Sequence, residues 1–153
     1  MKIRLAALAP GQNELVEKAS PTDLGLDPST FPQDLEILIL ADKGSNKIQL
    51  KVNPKGDGHF YCDRCGEDFV MQVGGESQVV FMQRDEPLPD EMPGDDLRTY
   101  QVHTDVLDIT TEIRDAVMLS IPLKLLCKED CRGLCLKCRA NLNREACRCK
   151  PSA

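Results

Sequence analysis

The eight cysteines of this chain stand in a pattern that metal chemistry uses. Cys62 and Cys65 lie in YCDRCGEDF, while Cys127, Cys131, Cys135, Cys138, Cys147 and Cys149 crowd into LLCKEDCRGLCLKCRANLNREACRCK. Eight thiolates suffice for two closed tetrahedral sites. The steps between them are two CxxC, two CxxxC and one CxC, short enough for a turn to bring two sulfurs onto one ion with backbone amides aimed at the sulfurs. The CDRC pair has no cysteine near it in sequence, so it must borrow from the tail. The nearest tail cysteines are Cys127 and Cys131, which leaves Cys135, Cys138, Cys147 and Cys149 to close a second site among themselves. Zinc is the expected ion, two per chain. Disulfides, an iron–sulfur cluster and a redox CxxC are the alternatives. The start, MKIRLAALAPGQ, lacks the apolar core of a signal peptide, and no apolar stretch reaches the length of a membrane span. The expectation is therefore a cytoplasmic protein whose thiols stay reduced.

A catalytic zinc would keep an open position and recruit histidine or carboxylate. Only His59 and His103 are present, and they read as strand or surface residues. No nucleophile elbow, phosphate-binding loop or dinucleotide glycine pattern occurs. The chain reads as a binding protein and not as an enzyme, with no small-molecule substrate and no membrane partner.

The elements that must position these sulfurs are short. Ile3 to Leu8 reads as a strand and Asn13 to Lys18 as a short helix. The proline-punctuated stretch Ser20 to Gln33 reads as loop. Leu35 to Ala41 and the alternating Ile48 to Val52 read as strands, with a turn at Asp42 to Asn46. Pro54 to Gly58 reads as a second turn. A strand from His59 then runs into the CDRC knuckle. Phe69 to Val73 and Gln78 to Gln83 read as two more strands joined through Gly74-Gly75. Tyr100 to Val106 reads as extended. Asp108 reads as the N-cap of a helix from Ile109 to Ser120 whose apolar face is Ile109, Ile113, Ala116, Val117 and Ile121, closed by Pro122. The expected fold class is α+β: a curved antiparallel sheet of short strands with one packed helix (1–126) and a zinc-knuckle tail (127–153) docked to the CDRC knuckle at 62–65.

Charge divides the same way. The formal net charge is −6. Asp85 to Asp96 holds six acids and no base, and Arg84 to Asp96 reads as a mobile acidic loop. Lys124 to Lys150 holds eight bases against three acids. A basic tail on an acidic body fits a polyanion partner, although the bases also offset thiolate charge. The residues Lys128, Arg132, Lys137, Arg139, Arg144, Arg148 and Lys150 are the candidates for phosphate contacts with RNA. The tail has no aromatic residue on which a base could stack.

Three stretches together resemble one known family. The CxRC knuckle after a β-rich region, the run DVLDITTEIRDAVMLSIPLKLLC, and the tail CRGLCLKCRANLN followed by CRC are similar to the bacterial YceD family in its form with the full cysteine set. The likeness covers about Leu35 to Lys150. Leu136 stands where that family's tail often has proline, and Arg139 where it commonly has glycine, which would ease a left-handed backbone. The resemblance implies a non-enzymatic role in large ribosomal subunit biogenesis and 23S rRNA accumulation, with ribosomal RNA, a pre-ribosomal particle or a ribosomal protein as partner. Two other readings stay open: a protein-interaction adaptor working through the acidic loop, and a thiol-based zinc or redox sensor.

Overall fold

The computed structural model describes residues 1–83, 97–101 and 103–149. Most of it is sheet, with one helix. The strands are β1 (Lys2–Arg4), β2 (Gly11–Ala19), β3 (Leu35–Lys43), β4 (Lys47–Tyr61), β5 (Asp68–Gly74), β6 (Ser77–Gln83), β7 (Leu97–Tyr100) and β8 (Val106–Asp108); the helix is α1 (Thr110–Ser120). β1 and β8 form a small antiparallel ribbon. The other strands form one open, curved sheet in the order β2-β3-β4-β6-β7, with β5 also paired to β4.

Alternation decides which face is covered. In β3, Leu35, Ile37, Ile39 and Ala41 are buried, and in β4 so are Ile48, Leu50 and Val52. The residues between them face outward, the pattern of an antiparallel sheet with one wet face. The helix α1 lies over the covered face of β4, β5 and β6, with Ile113, Ala116 and Val117 buried. Burying each large aliphatic side chain of this set contributes about 1.5–3 kcal/mol.

β4 positions the cysteines. It runs 15 residues and carries two partners end to end on one edge. Lys47 to Val52 pair with Met82 back to Ser77, and Lys55 to Tyr61 pair with Gly74 back to Asp68. The two ladders share one register frame, so β5 and β6 run in line as one long arm. The break falls opposite Asn53 and Pro54, where proline has no N–H to give. Past Lys55, β4 leaves β3 behind and continues with β5 alone to the CDRC turn.

Several expectations are corrected here. The Pro54 to Gly58 stretch is not a turn: β4 passes straight through it. A Cβ on Gly58 would lie under 3 Å from the Phe60 ring, so this glycine makes room for an aromatic ring inside the strand. Phe69 to Val73 and Gln78 to Gln83, read as two strands joined through Gly74-Gly75, both pair with β4 and not with each other. Asn13 to Lys18 is strand, not helix, because nine backbone pairs with β3 outweigh local helix propensity. Ile3 to Leu8 is strand only to Arg4; Leu5–Ala7 then form a 3-10 turn whose flanking carbonyls, Leu5 O and Leu8 O, accept from Lys43 Nζ at 2.8 and 2.9 Å. Ser20 to Gln33 contains a 3-10 turn at Thr22–Leu24 and buries Leu24, Leu26 and Phe31. β7 runs parallel to β6, an exception to the antiparallel sheet. Tyr100 to Val106 is not continuously extended, since Thr104 N–H turns back to Gln101 O. The helix starts at Thr110, with Ile109 at the cap position. Asp108 ends β8 and still accepts the Thr110 amide at 3.0 Å. The acidic stretch Arg84 to Asp96 lies outside the described residues.

At Gly75, between β5 and β6, the backbone passes close to α1. A Cβ added there would fall inside the van der Waals shell of the Ala116 carbonyl oxygen in α1. Gly75→Ala should therefore lower stability by about 1–3 kcal/mol, because backbone on both sides has to move. Thermal unfolding checks this, and bound metal per chain should stay unchanged.

Candidate metal centres

Two turns of the same construction carry the CxxC pairs. At the end of the β4/β5 hairpin, Cys62 N–H donates to Glu67 O at 2.8 Å, and Gly66 N–H donates to Cys62 O at 2.8 Å. In the tail, Cys135 N–H donates to Ala140 O and Arg139 N–H to Cys135 O, both at 2.9 Å. The fifth residue of each turn is left-handed: Gly66 at φ 71° and Arg139 at φ 58°. Glycine takes that conformation freely, whereas an L side chain such as that of Arg139 costs roughly 1–2 kcal/mol. The two knuckles are thus a local structural repeat, one at the tip of a hairpin and the other on the tail.

Each knuckle gathers two further sulfurs. Cys62, Cys65, Cys127 and Cys131 form one group and Cys135, Cys138, Cys147 and Cys149 another, each with its sulfurs within 4.8 Å of one another. Cys62 to Cys131 and Cys65 to Cys127 are 3.7 Å apart. Cys135 lies 3.2 Å from Cys147 and 3.8 Å from Cys149, and Cys138 lies 3.8 Å from Cys147. Four thiolates about 2.3 Å from a central zinc stand about 3.8 Å apart along a tetrahedral edge. The donor set and its spacing suit such an ion, and all eight thiols are free of disulfides. Neither His59 nor His103 joins a metal-ligand group among the described residues.

The two groups differ in burial. In the inner one, Cys62, Cys65 and Cys131 are buried, packed with Phe69, Leu126 and Cys127. In the outer one, Cys138 and Cys147 are exposed. Hydrogen bonding splits the thiols within each group. Burial opposes ionisation of Cys62, but amides of Cys127, Cys65 and Arg64 aimed at its sulfur outweigh it and bring the thiol from 9.0 down to about 6. The amides of Cys138 and Lys137 do the same for Cys135, again to about 6. Burial and the neighbouring sulfurs push Cys127 up to about 12. Cys149, hydrogen-bonded to Cys138 and Cys147, is likewise pushed up to about 12. Within each group some thiols ionise readily and others resist, since negative charge added beside a thiolate needs a cation near it.

The residues between the first two cysteines grip the tail, a role the sequence reading did not assign. Asp63 N–H donates to Leu125 O at 2.8 Å, and Leu125 N–H donates back to Asp63 Oδ2 at 2.7 Å. Arg64 Nη1 donates to Cys131 O at 2.8 Å, while Arg64 O accepts from Leu134 N–H at 3.2 Å. Gly133 passes so close that a Cβ would sit 2.9 Å from Arg64 O. Asn143 links the groups: its Nδ2 donates to Cys131 Sγ at 3.3 Å, and its Oδ1 accepts Arg132 N–H at 2.9 Å. Such outer partners orient metal ligands. The charged pair inside CDRC and the NLN run before Cys147 were the available signals.

The basic candidates among the described residues are exposed but not equivalent. Arg144 Nε pairs with Glu67 at 2.6 Å, Lys128 with Asp130 at 3.7 Å and Arg148 with Glu145 at 3.5 Å. Arg132, Lys137 and Arg139 are exposed as well. Lys150 lies outside the described residues.

Comparison with known proteins finds one family. Residues 50–153 match the family described as large ribosomal RNA subunit accumulation protein YceD. A chloroplast protein of Zea mays, named large ribosomal RNA subunit accumulation protein YCED homolog 1, is 38% identical over 79 residues, 51% of this chain and 26% of that protein. The Arabidopsis thaliana protein of the same name is 49% identical over 43 residues, 28% of this chain and 13% of its own length. The chain thus spans about a quarter or less of these curated relatives. No solved structure matches it.

Proposed function

The chain belongs to the YceD family of large ribosomal RNA subunit accumulation proteins, and from that premise we propose that it is a non-enzymatic factor in large-subunit biogenesis that holds two zinc ions and contacts ribosomal RNA through its basic tail. The inner quartet Cys62, Cys65, Cys127 and Cys131 fastens residues 127–153, as a separate tail unit, to the 62–65 knuckle. The outer quartet Cys135, Cys138, Cys147 and Cys149 folds the tail's far end. Zinc, when bound, supplies the positive charge that four clustered thiolates require. Phosphate oxygens are then met by Arg132, Lys137 and Arg139, with Lys128, Arg148 and Lys150 at the margin. Arg144 is held by Glu67 and contributes least. On this reading the protein acts in the cytoplasm.

The observation that supports it most is the outer knuckle itself: a hydrogen-bonded turn on the tail, in a stretch whose described bases are exposed and which carries the exposed Cys138 and Cys147. Contacts of this kind are salt-dependent and largely indifferent to sequence. Filter binding of large-subunit rRNA fragments to the zinc-loaded chain, across a salt series, tests the proposal. Arg132→Glu with Arg139→Glu should weaken capture at least tenfold, and each charge lost should lower the log–log salt slope by about one. Capture unchanged in that double variant would remove the RNA contact.

The exposure of Cys138 and Cys147 favours a second reading, a thiol-based sensor. Mild peroxide should then release the outer zinc and alter RNA capture; full zinc retention would count against it. The adaptor reading rests on Asp85 to Asp96, outside the described residues.

A further inference from the structure

The outer edge of β2 has no strand beside it among the described residues, because the sheet order begins at β2. The edge is nine residues long, a length that proteins normally shorten, cover or guard with charge. Its exposed face shows Glu14, Val16 and Lys18, with Val16 59% exposed. Among the described residues, neither Glu14 nor Lys18 is in an ion pair, although Lys18 stands opposite Glu36 on β3.

We infer that this edge pairs with the same edge of a second copy of the chain, antiparallel about a two-fold axis through Val16. Geometry restricts the choice. Along a strand, the backbone groups of alternate residues point to the same edge, so two residues that pair across it must share parity. For two identical strands related by a two-fold, the axis must therefore pass through a residue and not between two. An axis at Glu14 sets Glu14 against itself. An axis at Leu15 sets Glu14 against Val16. An axis at Glu17 sets Glu17 against itself and Val16 against Lys18. The axis at Val16 alone sets Glu14 against Lys18 on both sides of the centre, with Val16 meeting Val16 between them. On the opposite face it places Leu15 against Glu17, so no like charges meet. Directly opposed Cβ atoms in such a pair are about 4.5–5.5 Å apart, within reach of ion pairing. The charges that would guard this edge against foreign strands are arranged to match its own copy, the self-complementarity that a two-fold interface requires.

Sedimentation equilibrium of the full zinc-loaded chain tests the proposal. The wild type should self-associate to a dimer, and amides along 14–18 should gain protection from hydrogen exchange as concentration rises. Glu14→Lys sets lysine against Lys18 twice and should weaken the dimer at least tenfold. Glu14→Lys combined with Lys18→Glu restores opposite charges and should return the affinity to within a few-fold of wild type. Circular dichroism and metal content, unchanged in both variants, would show that the fold is intact. A wild type that stays monomeric to roughly 100 µM, a dimer unaffected by Glu14→Lys, or a charge swap that fails to recover association would each overturn the inference.

Discussion

Cys62→Ser is expected to halve the metal content and release the tail from the hairpin, whereas Cys135→Ser halves the metal content and leaves the tail attached. Cys62 is 3% exposed and shares its group with Cys127 and Cys131, the first two cysteines of the tail. Losing that group also removes the reason for Leu125 to sit on Asp63 and for Cys131 O to sit on Arg64. The expected cost is more than about 4 kcal/mol, the range reached when a structural metal is lost. Cys135 lies in the outer group, where Cys138 and Cys147 are exposed. Its loss should loosen residues 135–149 alone. Elemental analysis and limited proteolysis read both changes, and indistinguishable cleavage patterns in the two variants would contradict this division of labour.

Full removal of metal should disorder residues 127–149 while the sheet and α1 remain folded. The main core runs from Ile3 to Val117, with Ile121 and Leu125 at its margin. Beyond Leu126, the buried side chains in the described residues belong to the inner metal group. The tail therefore has no apolar cluster of its own to offset the entropy of ordering it, about 1–2 kcal/mol per residue of backbone, and metal affinity is its folding free energy. A strong chelator should empty the exposed outer group first and the inner one second. Hydrogen exchange should show two steps of lost protection in the tail and little change in β3, β4 and α1. Protection that persists across 127–149 in metal-free protein would overturn this account.

The legibility of these features in the sequence followed the range of the interactions. Leu35 to Ala41, Ile48 to Val52 and the helix were readable because burial imprints a period on them, with Ile113, Ala116 and Val117 all on one face. The grouping of eight cysteines followed from their spacing, and those same two sets of sulfurs lie together in the fold. Pro54 to Gly58 was misread because proline and glycine are turn formers only when nothing else needs them. Here Pro54 faces a gap in the opposite ladder and Gly58 lies beneath Phe60, facts of long-range packing. Asn13 to Lys18 has the composition of a helix and is held as strand by β3, twenty residues on. Asp63, Arg64 and Asn143 escaped notice because their partners, at Leu125, Cys131 and Cys131 again, are distant or concern a backbone atom. Arg139 stands where the resembled family commonly has glycine, and its backbone is left-handed all the same, at φ 58°.

The unbroken register along β4 has a consequence for how such chains can vary in length. Because both ladders on that strand keep one frame, adding or dropping a single residue between Lys55 and Gly74 would swing Phe60, Phe69 and Val73 to the wet side and present the knuckle upside down to the tail. Only matched changes, two residues from each arm, preserve the facing, and each would raise or lower the inner cysteines by about 7 Å, out of reach of Cys127 and Cys131 unless the span after Pro122 changed as well. Indels in this stretch should therefore come in compensated sets across three distant segments or not at all.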